Sequence, residues 1–222
     1  MWICYEGPEH TGKSTGIKFL EKALTDKTGR EILVTKEPGS PHEEVCVKLR
    51  RLLLDPKNDV SDKTALFLFL ADRAQHMKKV IRPALKEGKI VISDRSSLST
   101  LFYYAAANQD IGEDEITRLY GIISYAQGEI KPDLCLIAGA DYEWAKKSIV
   151  SRAELDRIEL KGDSFHKRVH QLFNGQEEYS DNAEPGFVAR NLYKLPRIPE
   201  ATSEQVTCYA LEKVMQVLKK VE

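Results

Sequence analysis

The chain has 222 residues, 42% of them hydrophobic, enough for one full core, and its 33 basic and 34 acidic residues leave a net charge of −1. That balance, mixed along the chain, excludes a phosphate-backbone binder with a basic stripe, so no nucleic-acid partner is expected. No apolar run approaches the roughly 18–20 residues of a membrane span, and Cys4, Cys46, Cys135 and Cys208 form no C-x-x-C pair, as suits reduced thiols in the cytoplasm.

In chain order, residues 2–6 read as a strand and 13–25 as a helix with Ile17, Leu20, Ala23 and Leu24 on one face. Met1 leads directly into that strand, with no signal-peptide pattern before it. Between strand and helix, Gly7-Pro8-Glu9-His10-Thr11-Gly12-Lys13-Ser14 satisfies the phosphate-loop pattern G-x-x-x-x-G-K-[ST]. Gly7 and Gly12 let successive N–H groups turn toward phosphate oxygens at a helix N-terminus. Lys13 then reaches the outer phosphates, and the Ser14 hydroxyl is a ligand for Mg²⁺.

A second strand is expected over Ile32-Leu33-Val34-Thr35, ended by Pro38-Gly39 and Pro41. Helices follow near 42–54 and 62–87, with Pro83 late in the second or ending it. Ile90-Val91-Ile92 is a third strand, stopping at Ser93-Asp94-Arg95. Helices near 97–107 and 113–130 lead to a fourth strand over Leu134-Cys135-Leu136-Ile137-Ala138. Further helices are expected at 142–151 and 163–179, then a polar surface excursion over 174–191 and a short fifth strand over Leu192-Tyr193-Lys194-Leu195. A helix near 203–220 closes the chain, capped by Thr202 with Gln205 reaching back.

This alternation predicts an α/β, P-loop NTPase-type three-layer fold, in which helices flank a five-stranded parallel sheet. Residues 1–222 are expected to form a single domain with a mobile lid over about 146–162. Ligands of such sheets bind beyond the carboxyl ends of the strands. The phosphate loop, Lys36-Glu37-Pro38 and Asp94-Arg95 should therefore meet in one crevice.

Asp94 closes an apolar strand, as suits an acid that holds Mg²⁺ directly or through water, and Arg95 sets a planar fork among phosphate oxygens. Phe69 and Arg73 are four residues apart on a helix, so they share a face. A ring and a guanidinium so placed can stack on a base and read its edge. From spacing alone, a core Phe beside an Arg ion pair is the commoner arrangement. The charged stretch with Arg152, Glu154, Asp156, Arg157 and Glu159 reads either as a lid over the transferring phosphoryl or as a solvated face. His166 and His170 lack the helical acid of a metal pair, and no protein-ligated transition metal is expected.

In order, these segments resemble the thymidylate kinase family, from Met1 to about Phe173. The likeness rests on Gly7–Thr15, Thr35-Lys36-Glu37-Pro38-Gly39, Ala71-Asp72-Arg73-Ala74-Gln75-His76 and Pro83-Ala84-Leu85. It continues through Asp94-Arg95 with Ser99-Thr100 and Tyr103, then Pro132-Asp133-Leu134 and Glu154-Leu155-Asp156-Arg157-Ile158-Glu159. The resemblance implies phosphoryl transfer from ATP to dTMP, with Mg²⁺ as cofactor, in a cytoplasmic homodimer. It implies that Gly7, Pro8, Glu9, His10, Thr11, Gly12, Lys13, Ser14 and Thr15 bind the ATP phosphates. Phe69 would stack on thymine, Arg73 would bind its O4 edge, Thr100 would face the base, and Tyr103 would crowd C2′. Glu9 would contact the 3′-hydroxyl or the Mg²⁺ shell, and Lys36 and Arg95 the acceptor phosphate. Lys13, Arg95, Arg152 and Arg157 are the expected catalytic set, with Ser14 and Asp94 for the metal.

The chain also departs from the family's pattern. Lys36 replaces an Arg, Ser96 replaces a Tyr, and Ser40-Pro41 replaces Gly-Thr. Phe102 and Tyr104 replace Ala and Gln, which predicts a more crowded sugar and base pocket. A kinase of broader deoxynucleoside monophosphate range therefore stays open as an alternative, as does a deoxynucleoside kinase, whose D/E-R-S motif Asp94-Arg95-Ser96 mimics. A P-loop nucleotide switch or assembly ATPase is the alternative outside this class; the chain has no N-K-x-D motif.

Overall fold

A computed structural model describes residues 1–108, 110–150, 155–175 and 189–221. Five strands form one sheet: β1 (Trp2–Glu6), β2 (Ile32–Lys36), β3 (Ile90–Asp94), β4 (Leu134–Ile137) and β5 (Leu192–Lys194). Their order is β2-β3-β1-β4-β5, and every pairing is parallel. Parallel neighbours need crossovers, supplied here by α1 (Lys13–Thr28), α2 (Glu44–Leu54), α3 (Asp62–His76), α4 (Arg82–Lys86), α5 (Ser97–Ala107), α6 (Glu113–Gln127), α7 (Tyr142–Val150) and α8 (Asp163–Asn174). The closing helix is α9 (Ser203–Val221).

The two-residue period of the strands divides the core into layers. Ile3, Tyr5, Ile90, Ile92, Leu134 and Leu136 pack on Ile17, Leu20 and Leu24 of α1 and on Ala210 and Val214 of α9. Cys4, Cys135 and Ile137 face the other way, against Leu70 of α3, Leu101 of α5, Ile123 of α6 and Val169 of α8. Trp2 and Val91 complete that second face with Met77 and Ile81. A sheet buried on both sides explains why its strands read as continuous apolar runs.

Local signals account for several element ends. Thr202 N donates to Gln205 Oε1 at 2.8 Å and Gln205 N to Thr202 Oγ1 at 3.2 Å, a reciprocal capping box at the start of α9. The stretch expected as one helix over 62–87 is helical throughout but passes through a wider π turn at Met77–Ile81. Pro83, just beyond it, offers no N–H to the carbonyl of Lys79.

Candidate active site

The ends of β1, β2 and β3 open into a cavity of about 490 Å³. Its floor is the phosphate loop. Gly7 leaves β1 at φ 140°, and a Cβ there would come within 2.3 Å of the Ala138 carbonyl oxygen, so only glycine fits. His10 sits at φ 59°, in the left-handed region, before the chain enters α1 at Lys13. Lys13 Nζ folds back onto the Pro8 carbonyl, and Thr11 Oγ1 donates to the same oxygen at 3.1 Å. Burial, aided by the nearby Arg95 charge, pushes the Lys13 ammonium down to about 8. Ser14 and Thr15 line the cavity from the first turn of α1.

Arg95 joins the loop to the end of β3. It too has a positive φ, 72°, which directs its guanidinium beneath the loop. Nη1 donates to the Gly7 carbonyl at 2.6 Å and to Ser99 Oγ at 3.0 Å, while Nη2 reaches Glu9 Oε1 at 3.1 Å. Tyr103 lies against this pair: its hydroxyl donates to Glu9 Oε1, and the Arg95 guanidinium is 5.1 Å from its ring centroid. Burial alone would raise the Glu9 carboxyl, but the charges of Arg95 and Lys13 outweigh it and hold the group below its ordinary value. Asp94 Oδ1 is buried with no hydrogen-bond partner among the described residues. Lys36 pairs with Asp94 in the strand register, and burial, together with neighbouring Arg50, lowers its ammonium.

Glu6, the last residue of β1, supports this corner from behind. It is wholly buried, and its carboxylate accepts from the backbone N–H of Ser96 at 2.8 Å and of Ser99 at 3.2 Å, at the start of α5. Burial nevertheless raises its pKa, the bonds from Ser99 opposing the shift.

The opposite wall comes from α3 and the turn after β2. Phe69 and Arg73 both line the cavity, with Thr100 across from them on α5. Arg73 is also ion-paired: Nε and Nη2 donate to Glu37 Oε2 at 3.0 and 2.6 Å. The ion pair and the cavity position thus occur together, and Nη1, itself buried, is left without a partner among the described residues. Asp72 lines the same wall, its carboxyl raised to about 6 by burial and by the Glu37 charge. Arg50 reaches in from α2, donating to the Pro38 carbonyl at 2.8 Å and lying across Gly39, where a Cβ would come within 2.4 Å of the Arg50 Cβ.

Not every residue named from the sequence meets here. Gly7 and Pro8 shape the loop from behind and do not line the cavity. Arg152 lies outside the described residues. Arg157 is turned away from the loop: Nε donates to the Leu53 carbonyl at 2.7 Å, Nη1 to the Val60 carbonyl at 3.2 Å, and its own N–H to the Leu54 carbonyl at 2.9 Å. The carbonyls of Leu53 in α2 and of Val60 before α3 capture the guanidinium, and the neighbours Asp156, Ile158 and Glu159 line the cavity instead. The crowding expected from Phe102 and Tyr104 does not reach the main cavity, although Tyr104 lines a small pocket beside it with Phe69, Thr100 and Tyr103. Phe102 is packed edge-on to Phe173 at 4.8 Å, and the Tyr104 hydroxyl donates to Glu115 at 2.9 Å, so neither lines the main cavity. His166 and His170 turn to the carbonyls of Glu159 and Ala140. Arg50 carries no signal in the sequence, whereas Glu37 and Asp72 stand inside Lys36-Glu37-Pro38 and Ala71-Asp72-Arg73, whose spacing gives neither acid a role of its own.

Known proteins resemble this chain over most of its length. A family profile described as Thymidylate kinase matches residues 5–183. Thymidylate kinase of Lactobacillus helveticus is 37% identical over 175 residues, covering 78% of this chain and 80% of the relative. Thymidylate kinase of Ectopseudomonas mendocina is 36% identical over 174 residues, covering 78% and 80%. That of Caldicellulosiruptor saccharolyticus is 35% identical over 179 residues, covering 81% and 82%. With its parallel five-stranded sheet, its phosphate loop and these relatives, the chain belongs to the thymidylate kinase family.

Proposed function

We propose that this chain transfers the γ-phosphoryl group of ATP to dTMP, giving dTDP and ADP. The observation that carries the reading is Arg95, which touches the phosphate loop at Gly7 and the Glu9–Tyr103 pair at once, in a cavity whose far wall is Phe69 and Arg73. The donor phosphates lie on the amides of Glu9–Thr15, with Gly7 and Pro8 shaping the turn, and Lys13 leaves the Pro8 carbonyl to meet them. Ser14 and the unpartnered Asp94 Oδ1 form a hard oxygen set that fits Mg²⁺. When bound, the ion neutralises charge on the donor phosphates. Lys36 and Arg95 hold the acceptor phosphate in line with the donor. Phe69 stacks on thymine, Arg73 Nη1 donates to O4, and Thr100 and Tyr103 bound the base and sugar. Because the acceptor phosphate is already ionised, positioning and charge neutralisation do most of the chemistry. Arg152 remains the lid arginine proposed for the transferring group, while Arg157 supports the lid from the acceptor side.

Homodimer assembly is part of the proposal, supported by the apolar side chains that Val45, Leu52 and Phe67 leave exposed on α2 and α3. A cytoplasmic setting fits the four free thiols. No described helix is long and apolar enough to cross a membrane.

A coupled ADP-release assay across dTMP, dUMP, dGMP, dCMP and thymidine tests the reaction. Turnover with dTMP, and none with thymidine, is the expected pattern. Turnover with thymidine but not dTMP overturns it in favour of a deoxynucleoside kinase.

A further inference from the structure

We propose that His76 is a positioning residue for acceptor selection, acting through Glu37 on the guanidinium of Arg73. The inference rests on the reading of Arg73 as the group that meets the base. His76 is fully buried at the end of α3, three residues after Arg73, so both side chains leave the helix on one face and meet Glu37. Arg73 uses Nε and Nη2 on a single oxygen, Glu37 Oε2. The edge of the guanidinium is therefore aimed by where Oε2 lies. That oxygen is positioned in turn through the other one, Oε1, which His76 Nδ1 holds at 3.0 Å.

The direction of these bonds follows from donor chemistry. Glu37 faces a guanidinium and is ionised, because the Arg73 and His76 interactions outweigh the cost of burial and hold its carboxyl at about 2. A carboxylate only accepts, so His76 Nδ1 must carry the proton. His76 Nε2 lies 2.8 Å from Thr35 Oγ1, which lies 2.9 Å from Ser40 Oγ. Both hydroxyls are buried and turn to suit the ring, so Nδ1–H points at Glu37 in either charge state of the imidazole. A Thr35–His76–Glu37–Arg73 chain thus runs from β2 to the cavity wall.

Its last member, Arg73 Nη1, lacks a partner among the described residues. A guanidinium nitrogen only donates. Held in one place, it donates to a ring carbonyl and opposes an exocyclic amine, which separates a thymine or uracil edge from a cytosine edge. Without His76 the carboxylate is free to rotate, the guanidinium follows, and that separation weakens while the cavity itself persists.

The test uses the full chain with His76→Phe, which fills the volume without nitrogens, His76→Asn, which restores a donor near the Nδ1 position, and Thr35→Val. Steady-state constants for dTMP, dCMP and ATP are read beside each variant's melting temperature. For His76→Phe, KM for dTMP should rise about 10- to 100-fold and the dTMP-over-dCMP ratio of kcat/KM should fall, with KM for ATP nearly unchanged. His76→Asn should recover much of the ratio, and Thr35→Val should lower it in the same direction by less. A merely structural histidine would change melting temperature and leave the ratio alone. A folded His76→Phe with the wild-type ratio overturns the proposal, as does equal behaviour of Phe and Asn at this position. Should His76→Phe not fold, an unchanged ratio in Thr35→Val overturns it. Failure of the wild type to use dTMP removes the functional reading and this inference together, whereas wild-type use of dTMP with an unmoved variant ratio removes the inference alone.

Discussion

Arg95 Nη1 donates to the carbonyl oxygen of Gly7 at 2.6 Å, although 88 residues separate the two positions. The bond ties the residue after β3, on the acceptor side, to the first residue of the donor loop. On the function proposed above, two substrates that must react in line would thereby share one frame, with a cation at the seam. Glu9, on the loop itself, neutralises part of that charge and takes the Tyr103 hydroxyl as well. On that reading a shift of any one of these groups would displace the substrates relative to each other, and small misplacements are costly in such reactions.

Replacing Arg95 by Lys keeps the charge but removes the fork that spans Gly7, Ser99 and Glu9. We expect kcat to fall about 100- to 1,000-fold in the ADP-release assay, with a smaller change in KM for ATP. Near wild-type kcat in Arg95→Lys would show that charge alone suffices at this seam.

Burial first, and then the charge of Arg95, push the Lys13 ammonium down to about 8, against the opposing carboxylates of Asp94, Glu9 and Glu6. ATP brings negative charge that lifts the group back toward its ordinary 10.5, so the complex binds more protons than the free enzyme between those values. At pH 9, ATP binding should take up as much as about one proton. Calorimetry in buffers of different ionisation enthalpy reads this directly; binding at pH 9 without proton uptake contradicts the assignment.

Glu37 has its folded-state pKa depressed from 4.5 to about 2, so its contribution to stability is fully present above pH 4.5 and is lost as pH falls toward 2. Glu37→Gln leaves the Arg73 charge buried without its partner, which costs on the order of 3 kcal/mol at pH 7. Urea midpoints of the two proteins should lie far apart at neutral pH and converge between pH 5 and pH 2. A gap that stays constant over that range would place the stabilisation elsewhere.

Arg157 holds the Leu53 and Val60 carbonyls, so its replacement should act on how its own segment is anchored to the rest of the fold rather than on the transferring group. Arg157→Ala is expected to lower the melting temperature and raise KM for dTMP several-fold, with kcat down by less than about 10-fold. An arginine that touches the transferring phosphoryl is worth roughly 1,000-fold or more. A loss of that size in kcat, with KM unchanged, returns Arg157 to the catalytic set.

The strands and most helices were legible because a sheet buried on both faces requires unbroken apolar runs and amphipathic helices show their period. Element ends were less so. β3 continues through Ser93 and Asp94, beyond its apolar run, since backbone pairing with Cys4, Tyr5, Thr35 and Lys36 does not depend on side-chain polarity. The π turn at Met77–Ile81 left no mark in the hydrophobic pattern, which continues through it. At the site, Phe69 and Arg73 were readable as neighbours on a helix face. That Arg73 is both ion-paired and left with an unpartnered nitrogen was not, because Glu37 arrives from another element.

The sequence by itself determined the sheet, the donor loop and the family. Those follow from local periodicity and from a motif whose parts are contiguous along the chain. Tertiary structure alone decided what Arg157, His76 and Glu6 do. Each meets partners dozens of residues away: Arg157 at Leu53 and Val60, His76 at Thr35 and Glu37, Glu6 at Ser96 and Ser99. A hydrogen bond depends on position and direction in space, and spacing along the chain encodes neither for groups carried by different elements.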